Sequence, residues 1–256
     1  MKTKLILTAL AMFFSVSLFP QTAQEIIQKS TDLIDISSME MVSTLKIMDA
    51  KGNVRERQIT TAAKKFGDAN KMLIKFIAPA DVKGTTLLVY DYDIKSDNMW
   101  IYMPALRKVR RIVSSEKGKS FMGSEFTNAD MSKPNVTDFS YSILGKENFQ
   151  GKTCWKIQQT GKNQTIQDEN GYSKKISYVD NSSYLCYKVE FYDFSGKLQR
   201  VQLLSNYKKQ SNGKYFAFLM QMENLQNGRK SIMTVDKFQA GSQLPESAFA
   251  PTTLDK

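Results

Sequence analysis

From Ser38 onward the sequence alternates with a period of two and rarely leaves it, which restricts the chain to an antiparallel β fold. Met39, Met41, Ser43, Leu45 and Ile47 interleave with Glu40, Val42, Thr44 and Lys46, as in a strand that sends successive side chains to opposite faces. The turn Asp49-Ala50-Lys51-Gly52-Asn53 follows, and Val54 to Phe66 reads as the returning strand. Gly67 to Asn70 turns into Lys71 to Ile77. After a break at Pro79 to Gly84, strands are expected over Thr85 to Tyr90 and Met99 to Met103. The second half repeats the style over Phe139 to Leu144, Thr153 to Thr160, Tyr172 to Asp180, Tyr184 to Tyr192, Leu198 to Tyr207, Lys214 to Asn224 and Arg229 to Ala240. The separators carry Gly, Asn, Asp and Ser, including a polar loop from Gly161 to Gly171. About a dozen short strands with hairpin turns imply one antiparallel sheet, strongly curved or nearly closed. No Pro- or Gly-rich linker divides it, so residues 21–256 read as one domain.

The N-terminus is of a different kind. Lys2 and Lys4 precede a run from Leu5 to Phe19 that is apolar apart from Thr8, Ser15 and Ser17. This is the layout of a secretory leader over residues 1–20, too short for a spanning helix, with cleavage expected between 17 and 23. The mature protein is therefore expected to be exported, soluble and periplasmic. Thr22-Ala23-Gln24-Glu25 then forms a capping box. Ala23, Ile26, Ile27, Ser30, Leu33 and Ile34 fall on one face at helical spacing, so the helix must dock on something apolar.

The side chains exclude most catalytic plans. The 256 residues contain no His and two Cys, which removes Ser-His-Asp and Cys-His nucleophiles, His-ligated zinc and the commonest neutral-pH base. No metal and no cofactor is expected. Asp91, Asp93, Asp97, Glu116, Glu125 and Asp130 gather loosely near loops without a recognisable paired motif. Cys154 and Cys186 each fall inside an expected strand, where either a cross-strand disulfide or two buried thiols would fit an oxidising compartment. The formal charge is +11, which suits an anionic membrane surface or simple solubility.

Two segments stand out. Trp100-Ile101-Tyr102-Met103-Pro104-Ala105-Leu106-Arg107-Lys108-Val109-Arg110-Arg111-Ile112 runs from an aromatic strand into a cluster of cations. Its arginines could grip phosphate while the aromatics meet acyl chain, or it could be an outer strand with its cations in water. Nucleic acid is not an expected partner of an exported protein. Val113 to Asp138 is too long for a hairpin loop and keeps the apolar residues Phe121, Met122, Phe126 and Met131. Such a segment either covers a cavity mouth or packs outside the sheet.

With its N-terminal helix and long β meander, the chain resembles the outer-membrane lipoprotein-sorting carriers, the LolA-like superfamily, and especially a poorly characterised branch of it. The resemblance rests on Trp100 to Ile112, Phe121-Met122-Gly123-Ser124-Glu125-Phe126, Gly151-Lys152-Thr153-Cys154-Trp155, Leu185 to Tyr192 and Leu244-Pro245-Glu246-Ser247-Ala248-Phe249. It implies a single incomplete, half-open antiparallel β-barrel whose concave face is covered by the N-terminal helix and a lid-like helix or loop segment. It also implies a carrier and no enzyme, binding lipoprotein acyl chains or phospholipid and shuttling them toward the outer membrane. Inner- and outer-membrane transport components are the expected partners of a monomer. A lipid- or lipoprotein-sensing module that reports to a membrane protein is the first alternative, and a lipid hydrolase using Ser124 or a loop carboxylate the second.

On this reading the cavity residues are Met72, Ile74, Phe76, Leu88, Tyr90, Trp100, Tyr102, Phe121, Met122 and Phe126, although alternation does not say which face of each strand is concave. Arg107, Arg110 and Arg111 are the candidate phosphate or partner contacts. The Phe121 to Phe126 segment is expected to be mobile, and Trp100→Glu to weaken lipid binding more than stability.

Overall fold

A computed structural model describes residues 21–93 and 95–255; the expected leader lies outside the described residues. The chain opens with helix α1 (Ala23–Ile34), followed by β1 (Ser38–Met48), β2 (Val54–Phe66), β3 (Ala69–Ala78), β4 (Thr86–Tyr92), β5 (Asn98–Met103) and β6 (Lys108–Ile112). A crossing segment, residues 113–138, carries the short helix α2 (Ser114–Lys117). Then come β7 (Phe139–Phe149), β8 (Lys152–Gly161), helix α3 (Gln164–Asn170), β9 (Lys174–Asp180), β10 (Cys186–Tyr192), β11 (Leu198–Lys209), β12 (Tyr215–Asn224) and β13 (Arg229–Ala240).

All thirteen strands form one antiparallel sheet in the order β6-β5-β4-β3-β2-β1-β13-β12-β11-β10-β9-β8-β7. Neighbours in sequence are neighbours in space, with two exceptions. β1 pairs with β13 from Met39↔Ala240 to Met48↔Lys230, sewing the two halves together. β6 and β7 are the free edges, so the barrel stays open, and residues 113–138 run from one edge to the other.

The start of α1 follows its capping box: the Thr22 hydroxyl accepts from the Glu25 amide at 3.2 Å, and the Glu25 carboxylate accepts from the Thr22 amide at 2.8 Å. Ala23, Ile26 and Ile27 are buried against Val136, Ile157 and Val179, whereas Ile34 at the far end is 40% exposed.

The concave face holds the main core. Leu45 and Ile47 of β1, Ile74 and Phe76 of β3, Leu87 and Val89 of β4, Met99 and Ile101 of β5, Phe191 of β10 and Met222 of β12 meet Phe121 and Phe126 of the crossing segment. Burying each of these side chains contributes roughly 1.5–3 kcal/mol. The sheet therefore wraps around its own connection. On the convex face, Leu88 packs against Phe249 and Leu254 of the C-terminal tail. Tyr90 donates its hydroxyl to the Phe249 carbonyl at 2.6 Å.

Two elements differ from the sequence expectation. The basic run continues past a 3-10 turn at Pro104–Leu106, with Arg107 at φ 47°, into the edge strand β6. Within the expected loop Gly161 to Gly171 lies α3, capped by the Asn163 side chain and closed by left-handed Gly171. This helix supports the crossing segment: a Cβ on Gly118 would stand 2.8 Å from the Gly171 backbone, and Lys117 pairs with Glu169 at 3.2 Å.

Candidate ligand-binding cavity

The crossing segment is fastened to the sheet by buried polar contacts. The Glu125 carboxylate, 7% exposed, pairs with Arg229 at 3.0 Å and accepts from the Asn224 amide at 2.9 Å. Its backbone amide donates to the Ser231 hydroxyl at 2.9 Å, and its carbonyl accepts from Arg200 at 2.9 Å. Arg200 also reaches Asp130 at 3.4 Å, and Arg57 donates to the Met122 carbonyl. Ser124 turns inward, donating to the Phe121 carbonyl at 2.7 Å. These contacts make the Phe121 to Phe126 stretch a plug that fills one end of the concave face, where the expectation was a mobile lid.

Beside the plug, the concave face stays open. A cavity of about 370 Å³ lies between the C-terminal half of α1, the inner faces of β9 to β12, and residues 130–134 of the crossing segment. Its apolar wall includes Ile27 and Ile34 of α1, Met72 of β3, Val179 of β9, Leu204 of β11 and Phe216 of β12. The volume falls in the lower part of the roughly 300–1,000 Å³ span of small-molecule sites.

Of the ten residues expected to line a cavity, Met72 does so. Ile74, Phe76, Phe121, Met122 and Phe126 share the concave face but pack on each other, with the Phe76 and Phe121 rings 5.7 Å apart. Leu88, Tyr90, Trp100 and Tyr102 correct the expectation: they lie on the convex face under the C-terminal tail. Pairing sets this parity, because Met72↔Val89↔Met99 forms one inward row and Leu73↔Leu88↔Trp100 the next, outward one. Trp100 stacks edge-on to Tyr90 at 5.0 Å. Trp100→Glu is therefore expected to lower stability by about 2 kcal/mol, half the usual cost of losing a fully buried Trp, while leaving ligand loading unchanged. Thermal melts and lipid titration of the same preparation check both halves of this statement.

The three arginines do not converge. Arg107 is exposed in its turn. Arg110 shares a row with Ile101 and pairs with Glu116 at 2.7 Å, while Arg111 shares the opposite face with Trp100 and donates to Asn98. Of the two arrangements open to the cysteines, the structure has the free thiols at Cys154 and Cys186 and no disulfide between them. They sit on strands separated by β9, where Cys154 is opposite Asp180 and Cys186 opposite Val179, so the two thiols occupy opposite faces. Burial pushes the Cys186 thiol up to about 11, which makes it a poor nucleophile.

Two polar residues at the cavity, Asp91 and Lys133, were not among the site residues expected from the sequence. Asp91, 7% exposed, looks into the cavity and accepts from the Lys133 backbone amide at 3.2 Å. Desolvation, reinforced by the neighbouring Asp97 charge, raises its carboxyl to about 7. Lys133 ties the crossing segment to the end of α1 through Asp35 at 3.1 Å and to Asp93 at 3.5 Å. Desolvation pulls the Lys133 amine down, but these carboxylates outweigh it and leave the amine above its ordinary value.

The Asp91 position predicts a pH dependence. Its folded value lies above the unfolded one, so the native state keeps a proton that the unfolded chain has already released. Stability is fully present below about pH 4 and declines as the pH rises to about 7, by on the order of 4 kcal/mol over that window. Asp91→Asn should flatten this slope in denaturant titrations and leave the protein more stable than the parent at pH 8.

A family model described as "Uncharacterized protein" matches residues 68–256. No curated protein matches the chain. Among solved structures, the chain is similar to a domain from Vibrio parahaemolyticus described as that of an outer membrane lipoprotein-sorting protein (28% identity, 91% of this chain and 98% of that one covered, TM-score 0.84). It is comparably similar to a DUF1329 family protein from Desulfovibrio piger (27% identity, 91% and 97% covered, TM-score 0.83). A LolA superfamily protein from Nitrosomonas europaea shares the fold at 21% identity (90% and 98% covered, TM-score 0.71). The open LolA-like half-barrel implied by the sequence resemblance is thus the fold observed.

Proposed function

The chain belongs to the uncharacterized protein family whose model spans residues 68–256, and from its LolA-like fold and open cavity we propose that it is an exported carrier of acyl chains. Residues 1–20 serve as the leader, residues 21–256 act as one binding domain, and the mature protein works in the periplasm. No helix among the described residues is long and apolar enough to cross a membrane.

The observation that carries this reading is the cavity of about 370 Å³ held open between α1 and the sheet. Each methylene moved from water into such a space contributes roughly 0.8 kcal/mol, so one acyl chain supplies enough to be drawn out of water and held. α1 closes the cavity with its own apolar face, and its exposed C-terminal end at Ile34 is where a chain can pass. The similarity to a lipoprotein-sorting domain supports transfer toward the outer membrane as the destination. The roles of the side chains are binding and positioning, and no covalent step is involved.

The test is native mass spectrometry of the mature protein taken from its own periplasm, followed by organic extraction. A co-purifying lipid or acylated peptide supports the carrier. A clean apo mass that also resists loading with added lipid refutes it.

A further inference from the structure

The cavity is lined by five acidic or basic residues, Asp35, Asp91, Asp130, Lys133 and Lys175; Lys133 pairs with Asp35, Asp130 with Arg200, Asp91 accepts the Lys133 backbone amide, and Lys175 is left without an ion pair. Along the inner face, the paired positions Gln159↔Lys175 on β8 and β9, Lys175↔Phe191 on β9 and β10, and Phe191↔Arg200 on β10 and β11 form one row. It continues through Arg200↔Asn224 to Asn224↔Arg229 on β12 and β13. Three cations stand in this row: Lys175, Arg200 and Arg229. The crossing segment supplies two carboxylates, Glu125 on Arg229 and Asp130 on Arg200. Lys175 lines the cavity and makes no salt bridge or hydrogen bond among the described residues; its amine stands 5.8 Å from the centre of the Tyr172 ring. One Arg200 guanidinium nitrogen, Nη2, is buried without a partner as well. Lys175 also sits at the deep end, since its row neighbours Gln159 and Phe191 are 2% and 3% exposed, whereas Ile34 at the α1 end is 40% exposed.

An unpaired ammonium in a largely apolar enclosure is costly unless an anion meets it. Burial pushes the Lys175 amine below its ordinary value, with Asp130 only partly opposing. Size narrows the ligand further. A cavity of about 370 Å³, in the lower part of the range of small-molecule sites, suits one acyl chain better than the several of a lipoprotein anchor.

We propose that this cavity takes a single-chain amphiphile with an anionic head, carboxylate or phosphate, the head meeting Lys175 and the chain lying between Val179, Leu204, Phe216 and the Ile27–Ile34 face of α1. The inference rests on the carrier reading and makes it narrower, because the head enters first and the tail points to the opening.

Calorimetric titration of the mature protein with dodecanoate, dodecyl phosphate and dodecanol tests it. The wild type should bind at least one of the charged probes tenfold or more tighter than dodecanol, and the tighter of the two names the head. Lys175→Met should bring that probe down to the dodecanol level while leaving dodecanol binding as it was, and the ligand-free variant should melt no lower than the parent. If Lys175→Met does not fold, Lys175→Gln is read the same way. Equal affinity of the wild type for charged and uncharged probes overturns the proposal, as does undiminished binding by the variant. Uptake of diacyl phospholipid from vesicles without binding of any dodecyl probe overturns the single-chain head site and leaves the carrier standing. Failure of every probe, vesicles included, removes the carrier reading itself.

Discussion

Glu125→Ala is expected to lower the free energy of unfolding by about 3 kcal/mol while the plug stays seated on the sheet. The carboxylate is 7% exposed and holds the Arg229 guanidinium at 3.0 Å and the Asn224 amide at 2.9 Å. Removing one partner of a buried pair leaves the other charge desolvated, which costs roughly 3–5 kcal/mol when both are buried. Arg229 is 34% exposed and recovers some hydration, so the lower part of that range applies. The backbone bonds of residue 125 to Ser231 and Arg200 survive the substitution, so the segment should stay docked. Urea unfolding monitored by Trp fluorescence reads the midpoint. A change under about 1 kcal/mol, the level of an exposed ion pair, would show that the carboxylate adds little to the hold of Phe121, Phe126 and the backbone bonds.

The same contact explains why the open sheet needs its crossing segment. β6 and β7 are free edges at opposite ends of thirteen strands, and the connection between them fills the concavity that the curvature creates. Phe121 and Phe126, 1% and 2% exposed, do for this half-barrel what interior side chains do for a closed one. The plug fills one end, and what it leaves empty is the cavity.

How far this was readable from sequence depends on the element. The strands were legible because period-two alternation and turn residues are local signals, and the N-terminal helix because its capping box is local too. The β6 strand was hidden by its composition: Lys108, Arg110 and Arg111 suit an exposed edge and look like a loop. The α3 helix has one apolar residue, Ile166, and so no apolar stripe to announce it. The faces of β4 and β5 were undecidable for a different reason. Leu87, Val89, Met99 and Ile101 point into the core, but Leu88, Tyr90, Trp100 and Tyr102 are equally apolar because the tail around Phe249 and Leu254 covers them. With both faces buried, alternation loses its meaning. Lys175 was hidden beside Lys174: the Lys174 amine rests over the Tyr192 ring at 4.9 Å on the convex side, Lys175 is on the cavity side, and only the register separates them.

Ser177→Phe is the substitution expected to silence the cavity without harming the fold. Ser177 stands on β9 between Lys175 and Val179 on the cavity wall, itself 5% exposed. A ring there projects into space that no side chain occupies, so the strain of overpacking a dense core does not arise, and filling the void should hold or raise the melting temperature. A ligand denied the volume of three methylenes loses about 2.4 kcal/mol, roughly fiftyfold in affinity. Loading with added lipid should drop by that factor while the melt is unchanged or higher. The two readouts separate the explanations. Full loading together with an unchanged melt would mean that lipid is held somewhere other than beneath α1. A sharp loss of stability would mean that α1 and the sheet close up in solution, leaving no room for the ring or for a ligand.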